Sequence, residues 1–402
     1  MTETTANPSS PPSVPPGTRN SASQRHLSSL DGLRAIAVLS VVLYHTGQLP
    51  FGWLGVPMFF ALSGHFITRT LLGHEDLSRG RRARDFFRNR ALRLAPLYLS
   101  VCAVVTVCAL AGYHHAEITS DLPYLWTWTY DFRTLAGDFA PPTVPIYNQF
   151  WSLCVEAQLY IVWALLVLLL PRRWFVRAAV ALALGGPLLR VGLYFLLKAT
   201  ETNGYLRLFT IAQSPLTYIE TFAVGALTAL PELRRQLPRL AAAAATVFVL
   251  ATLALLGHNL ATGHGMPGNW GYPVTFPDHY GWVWQYTVVS FFFGALVHFA
   301  SREGLFAQVL SPRWLVRTGV ISYGIYALHV PLLGQLAPHM KHTLTGWSGS
   351  DLCFAALVLA STYAAAELSF RFLETPFLKL KKRSLAHRIA AEHHASATTI
   401  VR

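Results

Sequence analysis

The chain has 402 residues, of which 53% are hydrophobic and 13% charged, and its formal net charge is +13. A soluble domain carries about 25% charged residues, so the composition excludes an ordinary soluble protein, a disordered chain and a coiled coil. The four cysteines form no C-x-x-C pair and the 16 histidines form no H-E-x-x-H motif, so neither a disulfide framework nor a metal site is expected. The composition indicates a polytopic membrane protein.

The N-terminal segment 1–27 is rich in Ser, Thr and Pro and has no apolar run, which predicts a disordered tail. No cleavable signal peptide is expected, because the first apolar segment begins near Leu30. Residues 28–378 are predicted to form the membrane domain, and 379–402 a basic cytoplasmic tail. About ten segments have the roughly 20 apolar residues that a membrane span needs. They are 30–49, 52–72, 91–112, 149–170, 175–197, 209–230, 239–257, 281–300, 318–337 and 351–372.

The distribution of basic residues orients these segments. With the N-terminus in the cytoplasm, 27 Lys and Arg residues fall on the inner side and four in outer loops. Such asymmetry is typical of a multi-pass membrane protein. The sequence therefore predicts an all-α membrane helix bundle of about ten transmembrane helices with both termini cytoplasmic. The net charge then reflects topology, and no nucleic-acid partner is expected.

Ionisable residues inside predicted spans mark candidate functional positions, because charge in a bilayer is costly. The first span contains Asp31, Arg34 and His45. Arg34 and His45 lie three helical turns apart on one face, about 16 Å along the axis. His45 falls beyond the bilayer middle. Taken alone it could be a packing residue, but its alignment with a charged pair favours a functional role.

Other spans carry similar polar stripes. In the fourth span, Gln149, Ser152, Glu156 and Tyr160 follow helical spacing. Glu156 is either functional or a structural hydrogen-bonding strut. Further stripes are Gln213, Thr217 and Glu220 in the sixth span, and Ser322, Tyr326 and His329 in the ninth. Together the stripes predict a polar cavity inside the bundle.

The segment 79–93 contains seven arginines. Much of this charge fits topology and attraction to lipid headgroups. Arg90 and Arg93, however, already lie within the third span. Because guanidinium groups bind phosphates well, a phosphorylated cytoplasmic cosubstrate is the alternative interpretation.

Six motifs in chain order resemble the acyltransferase 3 family of integral membrane O-acyltransferases. They are LDGLRA (30–35) leading to His45, GVPMFFALSG (55–64), RALRLAPLY (90–98), FWSLCVEAQLY (150–160), ISYGIYALH (321–329) and ETPF (374–377). The resemblance covers residues 30–377. Two positions depart from the family pattern: Cys154 replaces a common serine, and His65 replaces an apolar aromatic residue, which is expected to alter the acceptor pocket.

The resemblance implies a ten-helix enzyme that transfers a short acyl group from acyl-CoA, a cosubstrate rather than a bound cofactor, to a hydroxyl. The acceptor would be a macrolide or glycosylated metabolite, as in the macrolide-acylating branch, or a cell-envelope sugar. In such proteins the residues at Arg34 and His45 are the most closely tied to activity. Those at Arg90, Arg93 and Glu156 come next.

An alcohol is a poor nucleophile near neutral pH, and a histidine can take its proton during attack on a thioester. His45 is therefore predicted to be the general base, with Glu156 orienting it. An acyl-histidine intermediate is a variant of this mechanism. For the oxyanion donor, Ser63 and Tyr44 are candidates.

Donor binding is assigned to the arginines: Arg34 with Asp31 along the donor path, and Arg90 with Arg93 at the CoA phosphates. The candidate cavity-lining residues are Ser63, Ser152, Tyr160, Ser322, Tyr326 and His329.

A non-enzymatic exporter of a lipidic or polyketide molecule is the alternative function. It would explain the spans and the cavity, but not the arginine pair aligned with a deep histidine. A membrane scaffold or sensor would leave the buried charges unused.

Overall fold

A computed structural model of the chain describes residues 16–73, 77–136, 145–199, 203–263, 272–273, 275–276, 280–339 and 347–380. Within these residues the regular structure is helical and contains no strand. The α-helices are α1 (Pro16–His45), α2 (Gly55–Leu72), α3 (Arg79–Leu110), α4 (His115–Trp126), α5 (Phe150–Leu169), α6 (Arg172–Lys198), α7 (Gly204–Gln213), α8 (Pro215–Leu227), α9 (Leu237–Thr262), α10 (Gly281–Ala300), α11 (Leu305–Val309), α12 (Arg313–Val320), α13 (Ser322–Leu336) and α14 (Gly349–Ser369). For the described part of the chain, the all-α prediction is confirmed.

Six helical segments are long and apolar enough to cross a membrane: α3, α5, α6, α9, α10 and Gly349–Leu380. A bent pair, Arg313–Val320 with Ser322–His339, adds a seventh if its two parts, which meet at 70°, form one broken span. Neither α1 nor α2 is among the six, because polar side chains such as Arg34 and His65 lower their mean hydropathy. The count of ten spans and the location of the termini stay predictions.

The first helix is longer than its predicted span. It begins at Pro16, inside the segment 1–27 that the sequence predicts to be disordered, and ends at His45. Residues 1–15, and all but the first two residues of the predicted basic tail, lie outside the described residues. From Asp31 to His45, α1 is one uninterrupted helix, so Arg34 and His45 have the spacing of residues on one helix face.

Close backbone contacts at glycines lock α1 and α2 into the bundle. A Cβ atom at Gly64 of α2 would collide with the carbonyl oxygen of Phe222 in α8, and one at Gly225 of α8 would collide with that of Ala61. Likewise, a Cβ atom at Gly319 of α12 would collide with the carbonyl oxygen of Asp31. Small residues allow such approaches between membrane helices. They fix the depth and rotation of the helices that carry Arg34 and Ser63.

The segment between α3 and α5 packs against both helices. Trp128 stacks on Tyr98 of α3 with ring centroids 3.7 Å apart, and Tyr98 also stacks on Phe150 of α5. The amide of Gln158 in α5 donates to Asp131 at 2.8 Å. Burial raises the pKa of Asp131 to about 6. These contacts hold α5 in the orientation that presents Glu156 to the interior.

Candidate functional site

A narrow cavity, with about 50 Å³ of space for water-sized molecules, lies between α1, α2, α3, α5 and α13. Its lining combines three arginines, one carboxylate, several hydroxyls and an apolar wall: Arg34, Val56, Phe59, Phe60, Arg90, Arg93, Leu94, Ser152, Leu153, Glu156, Tyr160, Ser322, Tyr323 and Tyr326. The helices that carry the predicted polar stripes of the first, fourth and ninth spans thus meet at one cavity.

Glu156 is held by two hydroxyl groups. Ser63 of α2 and Tyr160, one turn further along α5, each donate a hydrogen bond of 2.5 Å to the same carboxylate oxygen, Oε1. Hydrogen bonds from hydroxyls to a carboxylate are short and strong. Ser63 is therefore committed to Glu156 in this arrangement, which disfavours it as the oxyanion donor.

A second pair of hydroxyls bridges α5 and α13. The oxygens of Ser152 and Tyr326 lie 2.5 Å apart, and the Tyr326 hydroxyl also donates to the carbonyl oxygen of Gln149 at 3.3 Å. Ser322 lines the cavity one turn before Tyr326. Four of the predicted lining residues, Ser152, Tyr160, Ser322 and Tyr326, therefore face the same space, and Ser63 contacts it through Glu156.

Arg93 is bound to the protein on two sides. Its guanidinium lies 3.2 Å from the carboxylate of Glu374, a fully buried residue, and donates to the carbonyl oxygen of Val320 at 2.8 Å. Glu374 belongs to the ETPF motif, and the sequence alone predicts no role for this glutamate. Position in that motif was the only sequence signal for it. The pair anchors the end of the last helical segment among the described residues against α3.

The other two arginines make looser contacts. Arg34 lies 3.9 Å from the carboxylate of Asp31, on the preceding turn. The guanidinium carbon of Arg90 lies 5.1 Å above the centre of the Tyr160 ring and 5.7 Å from that of Phe86. Three guanidinium groups, those of Arg34, Arg90 and Arg93, thus line one cavity. Asp31 is the ion-pair partner of Arg34.

His45 lies beside the cavity rather than in its lining. Its Nδ1 atom is 2.9 Å from the carbonyl oxygen of Val41 and 3.3 Å from Nε2 of His329. The predicted partner Glu156 instead binds Ser63 and Tyr160, so the structure gives His45 a histidine neighbour in place of the carboxylate. The reason is packing: α13 lies against α1, and the Glu156 side chain turns toward α2.

His329 is also placed differently from its prediction. It is fully buried and does not line the cavity. Its ring lies 5.6 Å, centroid to centroid, from that of Tyr326, which does line the cavity. A continuous series of side chains therefore leads from the cavity through Tyr326 and His329 to His45.

His65 does not border this cavity. It is buried, with Nδ1 2.8 Å from the hydroxyl of Thr228, the residue that follows α8. It lines a separate hollow together with Arg69, Arg234, His298 and Arg302. His65 is therefore not part of the cavity around Glu156, and its effect on an acceptor pocket stays a prediction.

No group of three or more metal-ligating side chains is found among the described residues. The charged groups at the cavity are guanidinium and carboxylate, and the ring nitrogens nearby bind carbonyl oxygens or each other. This arrangement can bind an anionic ligand through the arginines, and it can move a proton through a histidine.

Comparisons with known proteins agree with the motifs. The sequence profile of the acyltransferase 3 family, described as "Acyltransferase domain", matches residues 27–367. The peptidoglycan O-acetyltransferase OatA of Listeria monocytogenes is 27% identical over 374 residues, which is 89% of this chain and 56% of that protein. The O-acetyltransferase OatA of Staphylococcus aureus strain MRSA252 is 25% identical over 94% of this chain and 62% of its own length.

A third relative, the putative peptidoglycan O-acetyltransferase YrhL of Bacillus subtilis, is 27% identical over 91% of this chain and 58% of its own length. The chain thus spans less than two thirds of the length of these relatives. No solved structure is significantly similar to it. Its apolar helices and its relatives identify a multi-pass bacterial membrane protein. Because the family profile extends over most of its length, the chain belongs to the acyltransferase 3 family.

Proposed function

We propose that this protein is a membrane O-acetyltransferase that moves an acetyl group from acetyl-CoA to a hydroxyl of a cell-envelope glycan. The observation that carries the proposal is the cavity in which three arginines surround a hydroxyl-bonded carboxylate. The names of the relatives, all O-acetyltransferases and two of them of peptidoglycan, favour the envelope sugar over the macrolide that the sequence leaves open.

The donor end of the site is assigned by charge. Coenzyme A carries phosphate groups, and guanidinium groups bind phosphate with paired N–H donors. Arg34 and Arg90 contribute such donors to the cavity, and Arg93 completes its basic wall. In the predicted topology all three lie toward the cytoplasm, where acyl-CoA is made.

His45 is assigned as the general base. The acceptor hydroxyl gives its proton to the ring as its oxygen attacks the thioester carbonyl carbon. The carbon–sulfur bond then breaks, and the thiolate of coenzyme A takes up the proton. The products are an O-acetyl ester and free coenzyme A. His45 lies toward the outer side in the predicted topology, so the acceptor would approach from there and the donor through the cavity.

The test uses purified protein, radiolabelled acetyl-CoA and a panel of acceptors that includes peptidoglycan fragments and a macrolide. Label should appear as an alkali-labile ester on the peptidoglycan fragments. His45→Ala and His45→Gln should lower the transfer rate by about 10²–10⁴-fold, the usual contribution of a general base. Both variants should keep the size-exclusion profile of the wild type.

The control is His298→Gln, which makes the same change at a buried histidine of α10 that does not line the cavity. It should retain transfer. Full turnover in His45→Gln would remove the general-base assignment. If no acceptor received label while the protein still transported a lipidic substrate, the exporter would be favoured instead.

A further inference from the structure

A pair of histidines from distant parts of the chain meets beside the proposed base. The ring centroids of His45 in α1 and His329 in α13 lie 4.9 Å apart, and His329 is fully buried. The proposed acetyl transfer assigns a role to His45 and none to His329. The hydrogen bonds of His329 indicate what that role is.

The hydrogen on His329 can be located from its partners. Nδ1 of His329 lies 2.7 Å from the main-chain carbonyl oxygen of Tyr326. A carbonyl oxygen only accepts hydrogen bonds, so Nδ1 must carry the hydrogen. In a neutral ring Nε2 is then unprotonated and accepts. A fully buried ring whose described partners are main-chain carbonyl groups and another imidazole has no anion to hold it charged.

The same reasoning fixes His45. Its Nδ1 lies 2.9 Å from the carbonyl oxygen of Val41, so it too carries the hydrogen. The same Nδ1 lies 3.3 Å from the unprotonated Nε2 of His329. One N–H group of His45 is therefore shared between two acceptors. The lone pair of the neutral His45 ring is left on Nε2, the nitrogen on the far side.

We propose that His329 is a positioning residue for His45: it holds the Nδ1–H group so that the lone pair of Nε2 is available to the acceptor hydroxyl. The proposal rests on the proposed function, in which His45 takes the hydroxyl proton. Once Nε2 is protonated, the positive ring still donates from Nδ1 to the Val41 carbonyl and to His329. Hydrogen bonds from a charged donor are stronger than those between neutral groups, so the pair stabilises the charge that develops during attack.

Two substitutions of His329, by Gln and by Asn, introduce the same amide group on side chains of different length. The amide oxygen of Gln can occupy the position of Nε2 and accept from His45, whereas the shorter Asn places its amide near the position of Nδ1. His329→Asn should lower kcat by about 10- to 150-fold, the range for one hydrogen bond to a charged group. The KM for acetyl-CoA should not change, and His329→Gln should recover most of the loss. His298→Asn is the matched control at a buried histidine and should retain kcat.

Equal losses in His329→Asn and His329→Gln would mean that the ring only fills space, and the proposal would be wrong. It would also be wrong if His329→Asn kept its kcat. The proposed function fails separately, when His45→Gln keeps full turnover. Loss in His45→Gln together with full activity in His329→Asn would remove the positioning role alone.

A spectroscopic measurement tests the same hydrogen positions without an activity assay. Solid-state NMR of protein labelled with ¹⁵N histidine should contain two neutral rings protonated at Nδ1, the less common form in solution. These signals should be absent from His45→Gln and His329→Gln respectively. A His45 ring protonated at Nε2 would overturn the proposal.

Discussion

Arg90 and Arg93 lie on adjacent positions of one face of α3, but their guanidinium groups are engaged differently. Arg93 is bound by Glu374 and by the carbonyl oxygen of Val320. The contacts of Arg90 within the described residues are with the rings of Phe86 and Tyr160. The N–H donors of Arg90 are therefore the ones available to a phosphate, and Arg93 stabilises the fold of the site.

This difference predicts opposite effects of one substitution. Arg90→Gln should weaken acetyl-CoA binding about tenfold or more and leave thermal stability unchanged, because a charge-assisted contact with phosphate is lost. Arg93→Gln should lower the free energy of unfolding by about 3–5 kcal/mol, because it leaves the buried carboxylate of Glu374 without its counter-ion. Ligand titration and thermal unfolding in detergent measure the two effects.

The matched control is Arg84→Gln, at an exposed arginine of the same helix, which should change neither quantity. If Arg93→Gln weakened donor binding at normal stability, and Arg90→Gln did not, the two assignments would have to be exchanged.

Residue spacing along a helix predicted which side chains share a face, but not which partner each would find. Ser152, Glu156 and Tyr160 were predicted as one stripe, and all three line the cavity. The partners of Glu156 and His45 depend on the rotation of α2 and α13, which is set by tertiary packing. Glu374 lies 281 residues from Arg93, and no local pattern connects them.

At the scale of elements, two predicted spans are broken helices. The segment 209–230 is divided at Ser214, whose side chain caps α8 by accepting from the amide of Leu216, and Pro215 follows at the first helical position. The segment 318–337 bends at Ile321, between α12 and α13. The second break has a role at the site, because the last residue of α12 offers its carbonyl oxygen to Arg93.

The stripe of the sixth span points away from the cavity. Glu220 of α8 forms a fully buried ion pair with Arg190 of α6 at 2.6 Å. Arg190 also donates to the carbonyl oxygen of Val283 and to the hydroxyl of Thr287 in α10. Glu220 therefore joins three helices through Arg190, and no residue of the stripe lines the cavity around Glu156.

Breaking this ion pair should destabilise the bundle. Arg190→Met should lower the free energy of unfolding by about 3–5 kcal/mol, because it leaves Glu220 charged and buried. The double variant Arg190→Met/Glu220→Gln should recover most of that loss, since it removes both charges. Thermal unfolding in detergent measures the effect. Acetyl-CoA binding to the folded protein shows whether the cavity is still intact. Equal destabilisation of the single and double variants would mean that packing, not charge pairing, holds α6 to α8.

At the scale of the whole molecule, the location of the arginines relative to His45 gives the proposed reaction a direction. In the predicted topology, Asp31 and Arg34 lie where α1 enters the membrane, and His45 is the last residue of the helix. The order of these residues places Arg34 nearer the cytoplasm than His45 only if the helix crosses the bilayer with its N-terminal end inside. The count of 27 inner against four outer basic residues is the argument for that orientation, since helix packing alone has no inside or outside.

Single cysteines at exposed positions test the orientation. The background should replace Cys108 and Cys353, because Cys353 is exposed and Cys108 half-buried. Thr127, after α4, and the arginines Arg84 and Arg235 are exposed and suit substitution by cysteine.

In intact cells an impermeant thiol reagent should label Thr127→Cys and should leave Arg84→Cys and Arg235→Cys unlabelled until the membrane is permeabilised. The reason is that charged inner loops stay on the cytoplasmic side. Labelling of Arg84→Cys from outside would place the arginine cavity away from the cytoplasmic pool of acyl-CoA. The donor assignment would then fail, even if His45 proved essential.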